Sequence, residues 1–257
     1  MIDKKAFLNA LSFEDKNKVS KLYEKICFSL KTGREVYTEE FYPPNVWRYL
    51  EKAKGAFGIN VSSFGIFDEA ERKVIAFSQE EIWHFPISLI KIQNKSEFTK
   101  LTHRDYLGSI LSLGIKREKF GDLICEDSSA YVAVYEELAD YIIYSLKSIG
   151  NSPCIVKIVD IYTEDLPQHK FQEENIISTS FRLDSIVSSI TGLSRSKALD
   201  IIREGKVIKD YRVENEKDEI VQENSILTIR GYGKYKIVSQ VGITGSGRFK
   251  ILLKKFI

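Results

Sequence analysis

Residues 181–209, FRLDSIVSSITGLSRSKALDIIREGKVIK, constrain this chain more than any other stretch. Apolar residues recur at helical spacing over 182–190 and again over 194–204. Gly192 can end the first helix, Ser194 sits where an N-cap belongs, and Gly205 supplies a left-handed stop for the second. Val207-Ile208 then begins a strand, and 226–229 reads as another. The expectation is a small αβ domain built on a helix-turn-helix.

The same stretch carries an unusual set of cations. Arg195 and Lys197 fall in the first turn of the second helix, where positive charge opposes the helix dipole. Stability does not explain them there, whereas a phosphate partner does. Arg182 opens the first helix, and Arg203 and Lys206 lie near the end of the second. The run RGYGKYK at 230–236 adds Arg230, Lys234 and Lys236, interleaved with tyrosines and two glycines that permit close approach to a backbone. Any one of these cations has solvated surface as its ordinary fate. Their crowding around one helix-turn-helix is what points to nucleic acid. Charge distribution agrees: residues 180–257 hold 15 Lys+Arg against 9 Asp+Glu, leaving 23 against 27 for the remainder. A basic end on an acidic body suits a polyanionic partner.

Arg-Leu-Asp at 182–184, Ser-Arg-Ser-Lys-Ala at 194–198, Ile-Arg-Glu-Gly-Lys-Val at 202–207 and Leu-Thr-Ile-Arg-Gly at 227–231 resemble, in order and spacing, the RNA-binding domain first named for ribosomal protein S-four. The resemblance implies a two-helix surface that docks on structured RNA. It places that role on Arg182, Arg195, Lys197, Arg203 and Lys206. The family usually has Asn-Gly in the turn after the first strand. Lys209-Asp210-Tyr211 stands there in this chain, so an altered turn is expected.

Upstream, 86–93 reads as a strand, 104–113 as a helix ended by Gly114, and 122–125 and 130–135 as strands joined at Asp127-Ser128-Ser129. A helix over 136–149, stopped by Gly150-Asn151, and a strand over 154–161 complete a β-α-β-β-α-β order, which is ferredoxin-like or RRM-like. Such a fold covers one sheet face with helices and leaves the other open, the face that RNA-recognition motifs use. Their basic-Gly-aromatic fingerprint is absent. Tyr131 and Tyr135, on one face of one strand, are the nearest stacking candidates, although packing is the commoner role for tyrosines so spaced. The first 78 residues read as helices followed by two strands around an acidic turn. Ser12 with Asp15 resembles a capping box for a helix through Leu30, and a second helix over 46–54 would end at Gly55. Residues 162–180 are polar and read as a linker with a short strand at 175–179. The expected organisation is α+β: an α-rich part (1–78), an RRM-like βαββαβ domain (79–162), a linker (163–180) and an S-four-type domain (181–257).

FGIFDEAERK at 64–73 and LTHRDYLGSILSLGIKREKFGD at 101–122 are similar to segments of the YlmH family of bacterial RNA-binding proteins. That family joins an N-terminal domain, a middle RNA-binding domain and a terminal S-four domain, so the likeness covers nearly the whole chain. It implies a role in ribosome-associated quality control on large ribosomal subunits obstructed by peptidyl-tRNA. Ribosomal RNA and the large subunit are then the expected partners, with peptidyl-tRNA a further candidate. His103, Arg104, Lys116, Arg117 and Lys119 flank one helix and form a candidate second phosphate-contacting patch. The competing role is structural, with Arg104 and Asp105 capping that helix and pairing locally.

Enzyme signatures fare poorly. His103-Arg104-Asp105 resembles a kinase catalytic loop, but Ile110 stands where an asparagine is required and no glycine-rich loop accompanies it. GITGSG at 242–247 lacks the Lys-Ser/Thr of a phosphate loop and sits between strand-like runs, as a hairpin turn would. S-four domains also accompany pseudouridine synthases, yet Asp184 lies inside the first helix of the domain rather than in a catalytic setting. Cys27, Cys125 and Cys154 are widely separated, which suits free thiols in a reducing compartment better than a disulfide framework or zinc site. No apolar run approaches the roughly 20 residues of a membrane span, and no secretion signal is visible. The expectation is a cytoplasmic, monomeric, non-catalytic RNA-binding factor without cofactor or metal. An RNA-modifying enzyme or a ribosome assembly factor is the alternative.

Overall fold

The computed structural model describes residues 3–96, 98–163 and 165–257. They divide into two units, Met1–Gln168 and His169–Ile257.

In the first unit, α1 (Lys4–Ala10) and α2 (Lys16–Thr32) start on Asp3 and Asp15, each carboxylate accepting two backbone N–H groups. The cap expected at Ser12 is thus supplied by Asp15, because Glu14 N–H closes a turn onto the Leu11 carbonyl and delays the helix. Strand β1 (Val36–Tyr37) precedes α3 (Pro44–Lys52), which has Pro44 in its first turn. A single further turn, α4 (Lys54–Phe57), carries the chain past Gly55 to Gly58, whose φ of 69° is the actual stop. Strands β2 (Asn60–Phe64) and β3 (Val74–Ser78) form the expected antiparallel pair, with β1 on the far side of β3. Phe7, Leu22, Ile26, Trp47, Leu50 and Phe77 share one core there.

The same unit continues with β4 (Ile87–Asn94), α5 (His103–Ser112), β5 (Phe120–Glu126), β6 (Ser129–Tyr135), α6 (Glu136–Ser145), β7 (Ser148–Ile149) and β8 (Ser152–Val159). The strands pair antiparallel in the order β5-β6-β4-β8-β7, which is the ferredoxin-like arrangement with a small hairpin added at one edge. The helix expected to reach 149 ends at Ser145. Leu146 turns extended, and Ile149 pairs with Ser152 across Gly150-Asn151, which buries the Ile149 side chain.

One sheet face lies under α5 and α6: Ile90, Ile92, Val132 and Val134 pack with Tyr106, Ile110 and Ile142. The other face is not open, contrary to expectation. Phe41, Ile66, Phe67, Ala70 and Val74 from the first 78 residues cover Leu89, Tyr131, Ala133 and Tyr135. Tyr131 and Tyr135 are each 6% exposed and are core residues, closed to stacking on bases. The reason is hydrophobic. The segment between β2 and β3 carries apolar residues that need a surface, and the sheet supplies it. Gly121 permits the fit, since a Cβ there would stand 2.8 Å from the Phe41 ring. Polar contacts fix it further. The Tyr135 hydroxyl donates to the Thr38 carbonyl, and the buried Asp122 carboxylate accepts the backbone N–H of Glu71 at 2.6 Å and of Arg72 at 3.3 Å. Both segments that carry the YlmH-like sequence therefore meet at Asp122.

The second unit runs β9 (Phe171–Ser178), α7 (Leu183–Thr191), α8 (Arg195–Arg203), β10 (Val207–Lys209), β11 (Arg212–Val213), β12 (Ile226–Ile229), β13 (Gly233–Ile243) and β14 (Phe249–Phe256). Its strands lie in the order β11-β10-β12-β13-β14-β9. The short strand expected at 175–179 within the linker is the second half of a full edge strand, 171–178, paired with β14 from Phe171↔Phe256 to Ser178↔Phe249. Polarity masked its first half. The ladder satisfies the backbone while Ile176 is the one apolar side chain buried. Helices α7 and α8 pack Leu183, Ile186, Val187, Ala198 and Ile202 onto Val207, Leu227, Ile229, Ile237, Ile251 and Leu253. The altered turn links β10 to β11, and Asp210 (φ 48°) and Tyr211 (φ 67°) take the left-handed conformation that Asn-Gly would adopt readily. The Asp210 carboxylate accepts the Ile226 N–H at 2.8 Å, tying the turn to β12.

Candidate nucleic-acid interface

Asp184 lies in the first turn of α7 with its side chain 5% exposed, a costly place for a lone carboxylate. Two guanidiniums meet it. Arg195 donates from Nε and Nη2 at 3.1 and 3.2 Å, and Arg182 donates from Nε and Nη2 at 3.3 and 3.4 Å. Burial pushes the carboxyl up, but the hydrogen bonds and charges of Arg195 and Arg182 outweigh it and hold the group below the usual aspartate range. Arg195 thus has a structural reason to begin α8 that outweighs its conflict with the helix dipole. Its side chain stays 53% exposed, so one carboxylate and two guanidiniums present net positive charge to solvent.

Lys197 is exposed in the same turn, and its backbone N–H donates to the Ser194 Oγ cap at 3.4 Å. Arg203 is exposed six residues further on, about 9 Å along the axis. Lys206 pairs with Glu204 on the surface. Its carbonyl accepts the Arg230 N–H at 3.0 Å, which brings the end of α8 and the end of β12 together. Arg182, Arg195, Lys197, Arg203, Lys206 and Arg230 therefore belong to the helical side and its rim.

Lys234 and Lys236 do not join them. Strand alternation buries Tyr235 and Ile237 beneath the helices and turns Lys234 and Lys236 to the opposite face of the sheet. There Lys236 stands beside Lys254, and Lys250 follows on the same face of β14. Lys250 and Lys254 were missed in the sequence, although the alternation of FKILLKKF held the signal.

The middle patch is dispersed. His103 and Arg104 are exposed at the start of α5, and Arg104 borders an open groove of about 890 Å³ with Ser96, Ser109, Ser148 and Asn151. Asp105 closes that helix start itself by accepting the Thr102 N–H at 2.7 Å, so its carboxyl titrates below the usual range. Beyond the other end of α5, Lys116 is exposed, but Arg117 is folded inward. Its Nη1 donates to the Phe120 and Gly121 carbonyls at 2.7 and 3.0 Å, and its guanidinium lies 4.6 Å from the Phe120 ring centre. Burial, with Arg72 nearby, brings it down to about 10. Arg117 therefore holds the start of β5. Lys119 lies half-buried against the Tyr135 ring. Of the five residues, His103, Arg104 and Lys116 present themselves to solvent.

None of the three cysteines is in a disulfide, and among the described residues no cluster of His, Cys, Asp and Glu could hold a metal ion. No helix of the described residues is long and apolar enough to cross a membrane.

Residues 80–164 match a family model described as "Putative RNA-binding domain in YlmH". The ribosome-associated protein quality control protein P2 of Bacillus subtilis is 24% identical over 220 residues, covering 84% of this chain and 86% of that protein. Among solved structures, the cell division protein ylmH from Streptococcus pneumoniae aligns with a TM-score of 0.49 and 26% identity, over 58% of this chain and 93% of that one.

Proposed function

The chain belongs to the YlmH family, and on that premise we propose that it is a non-catalytic RNA-binding factor of ribosome-associated quality control, docking on ribosomal RNA of large subunits obstructed by peptidyl-tRNA. The observation that carries the reading is the exposed cationic rim of the S-four-type helices: Lys197, Arg203 and Arg230, with Arg195 and Arg182 oriented on Asp184. Guanidiniums already oriented by a buried acid lose little freedom on meeting a phosphate, so they add affinity at low entropic cost. His103, Arg104 and Lys116 supply a second, smaller contact in the middle domain. Affinity comes from phosphates and selectivity from RNA shape, which needs no turnover and no cofactor. The protein acts as a cytoplasmic monomer that comes and goes from the ribosome.

Crosslinking the protein to RNA in living cells and mapping the sites tests this. The expected result is recovery of large-subunit ribosomal RNA together with tRNA. Diffuse recovery of messenger RNA would overturn it.

A further inference from the structure

The outward face of the C-terminal sheet differs from the helical side in what it offers. Along β13 and β14 it presents Lys234, Lys236, Lys250 and Lys254, and across β9 it presents Phe171 and Ile177. Glu173, 3.9 Å from Lys254, is the acid that β9 contributes to this face. No helix of the C-terminal unit covers it, since α7 and α8 pack on the other side. Three aromatic rings lie among the lysines. Phe171 and Phe256 are paired edge to face with centres 4.9 Å apart. The Lys234 ammonium lies 4.5 Å from the Phe256 ring centre and 5.3 Å from that of Tyr211, and the Lys254 ammonium lies 5.6 Å from that of Phe171. Rings that hold ammonium groups in place keep positive charge concentrated on the sheet rather than dispersed on mobile tips.

We propose that this face is a second RNA-binding surface, which grips the phosphate backbone of an RNA strand running across β13 and β14. The proposal rests on RNA being the ligand of the chain, and it adds a second contact on the far side of the domain from the helices. Charge complementarity selects the partner. Lysines gathered on two neighbouring strands suit a polyanion, and rings beside them offer bases a stacking surface. Residues two apart on one strand stand about 7 Å apart and neighbouring strands about 5 Å apart, so the lysines form a two-dimensional lattice rather than a line. With cations on both sides of its sheet, the domain joins two RNA segments rather than capping one.

The test uses the full chain and two variants, Lys236→Gln with Lys254→Gln on the sheet face and Lys197→Glu with Arg203→Glu on the helical side. A single-stranded oligonucleotide containing 4-thiouridine is photo-crosslinked to each, and its affinity is titrated against salt. The expected result is crosslinking within 233–243 and 249–256, with a salt slope shallower by about 1.4 in the sheet-face variant, at about 0.7 for each phosphate no longer neutralised. Melting temperatures show that both variants are folded. Unchanged crosslinks and slope in the sheet-face variant, with binding abolished in the helical-side variant, would sink the second surface and leave the proposed function standing. Binding abolished in the sheet-face variant alone would instead move the RNA site from the helices to the sheet. Absence of crosslinks from all three proteins would sink the sheet-face surface, while the proposed function, which rests on structured RNA, falls only if the crosslinking in cells fails.

Discussion

Arg195 opens one helix and Asp184 sits in the first turn of the other, and two N–H···O contacts of 3.1 and 3.2 Å tie those helices together. This bond separates two neighbouring cations that look equivalent in the sequence. Arg195→Glu would set a second carboxylate beside a buried one that keeps only Arg182. We expect a loss of about 1–3 kcal/mol, below the figure for a fully buried pair because Arg195 is half exposed. Lys197→Glu removes a cation that opposes the helix dipole, so the melting temperature should hold or rise slightly. Both variants should lose RNA affinity, but thermal melts should show a fall for Arg195→Glu only. Equal melting temperatures would mean that the Arg195–Asp184 contact contributes nothing to the fold.

Acid should act on the same contact. The folded pKa of Asp184 lies below its unfolded value of about 3.9, so its ion pairs add stability above that pH and lose it as pH falls through the folded value. Melting temperatures followed from about pH 6 to about pH 3 should drop more steeply for the wild type than for Asp184→Asn, which begins lower and lacks this component. Parallel curves would contradict the assignment.

Asp122 plays a corresponding part in the first unit, accepting two backbone N–H groups from the segment that covers the sheet. Asp122→Ala leaves those buried donors without their acceptor and should cost about 2–3 kcal/mol. Gly121→Ala tests the same packing by sterics, because its Cβ would meet the Phe41 ring. In both variants hydrogen exchange should quicken in 64–74 before it does in β4 and β6. Exchange that stays uniform would mean that the cover is not held at this point.

Much of the molecule could be read from its residues, and the failures share a cause. The helix-turn-helix was legible because Gly192, Ser194 and Gly205 punctuate strong periodicity. The order of the middle domain was legible for a similar reason. The covered sheet face was not, since alternation marks a strand as half-buried without saying what buries its second side. Tyr131 and Tyr135 were the nearest stacking candidates for that reason, and packing, the commoner role for tyrosines so spaced, is the one they have. Strand β9 was legible only in its second half, the short strand expected at 175–179, because an edge strand needs little apolar surface and FQEENIIS has little before Ile176. Among the site residues, proximity along the chain misled. Lys234 and Lys236 follow Arg230 closely, yet the period of two sends them to the opposite face. Arg117 sits in a basic run, but its guanidinium is committed to the Phe120 and Gly121 carbonyls.

The turn at Asp210-Tyr211 offers a test in the opposite direction, toward higher stability. Both residues have positive φ, at 48° and 67°. Aspartate tolerates that region, and Asp210 is further held by its bond to the Ile226 N–H at 2.8 Å. Tyrosine lacks the short polar side chain with which aspartate bonds locally, and a left-handed residue with a Cβ costs about 1–2 kcal/mol. Glycine there removes the strain but gives the unfolded chain more freedom, which returns part of the gain. Tyr211→Gly should therefore stabilise the protein by up to about 1 kcal/mol. The substitution also deletes one of the two rings under Lys234, while Phe256 remains 4.5 Å away. If the Tyr211 ring serves RNA, the variant will melt higher yet bind a single strand more weakly. If the ring only packs against Lys234, affinity will stay level. A lower melting temperature would show that the ring contact outweighs the backbone strain, and that this departure from Asn-Gly stabilises the turn.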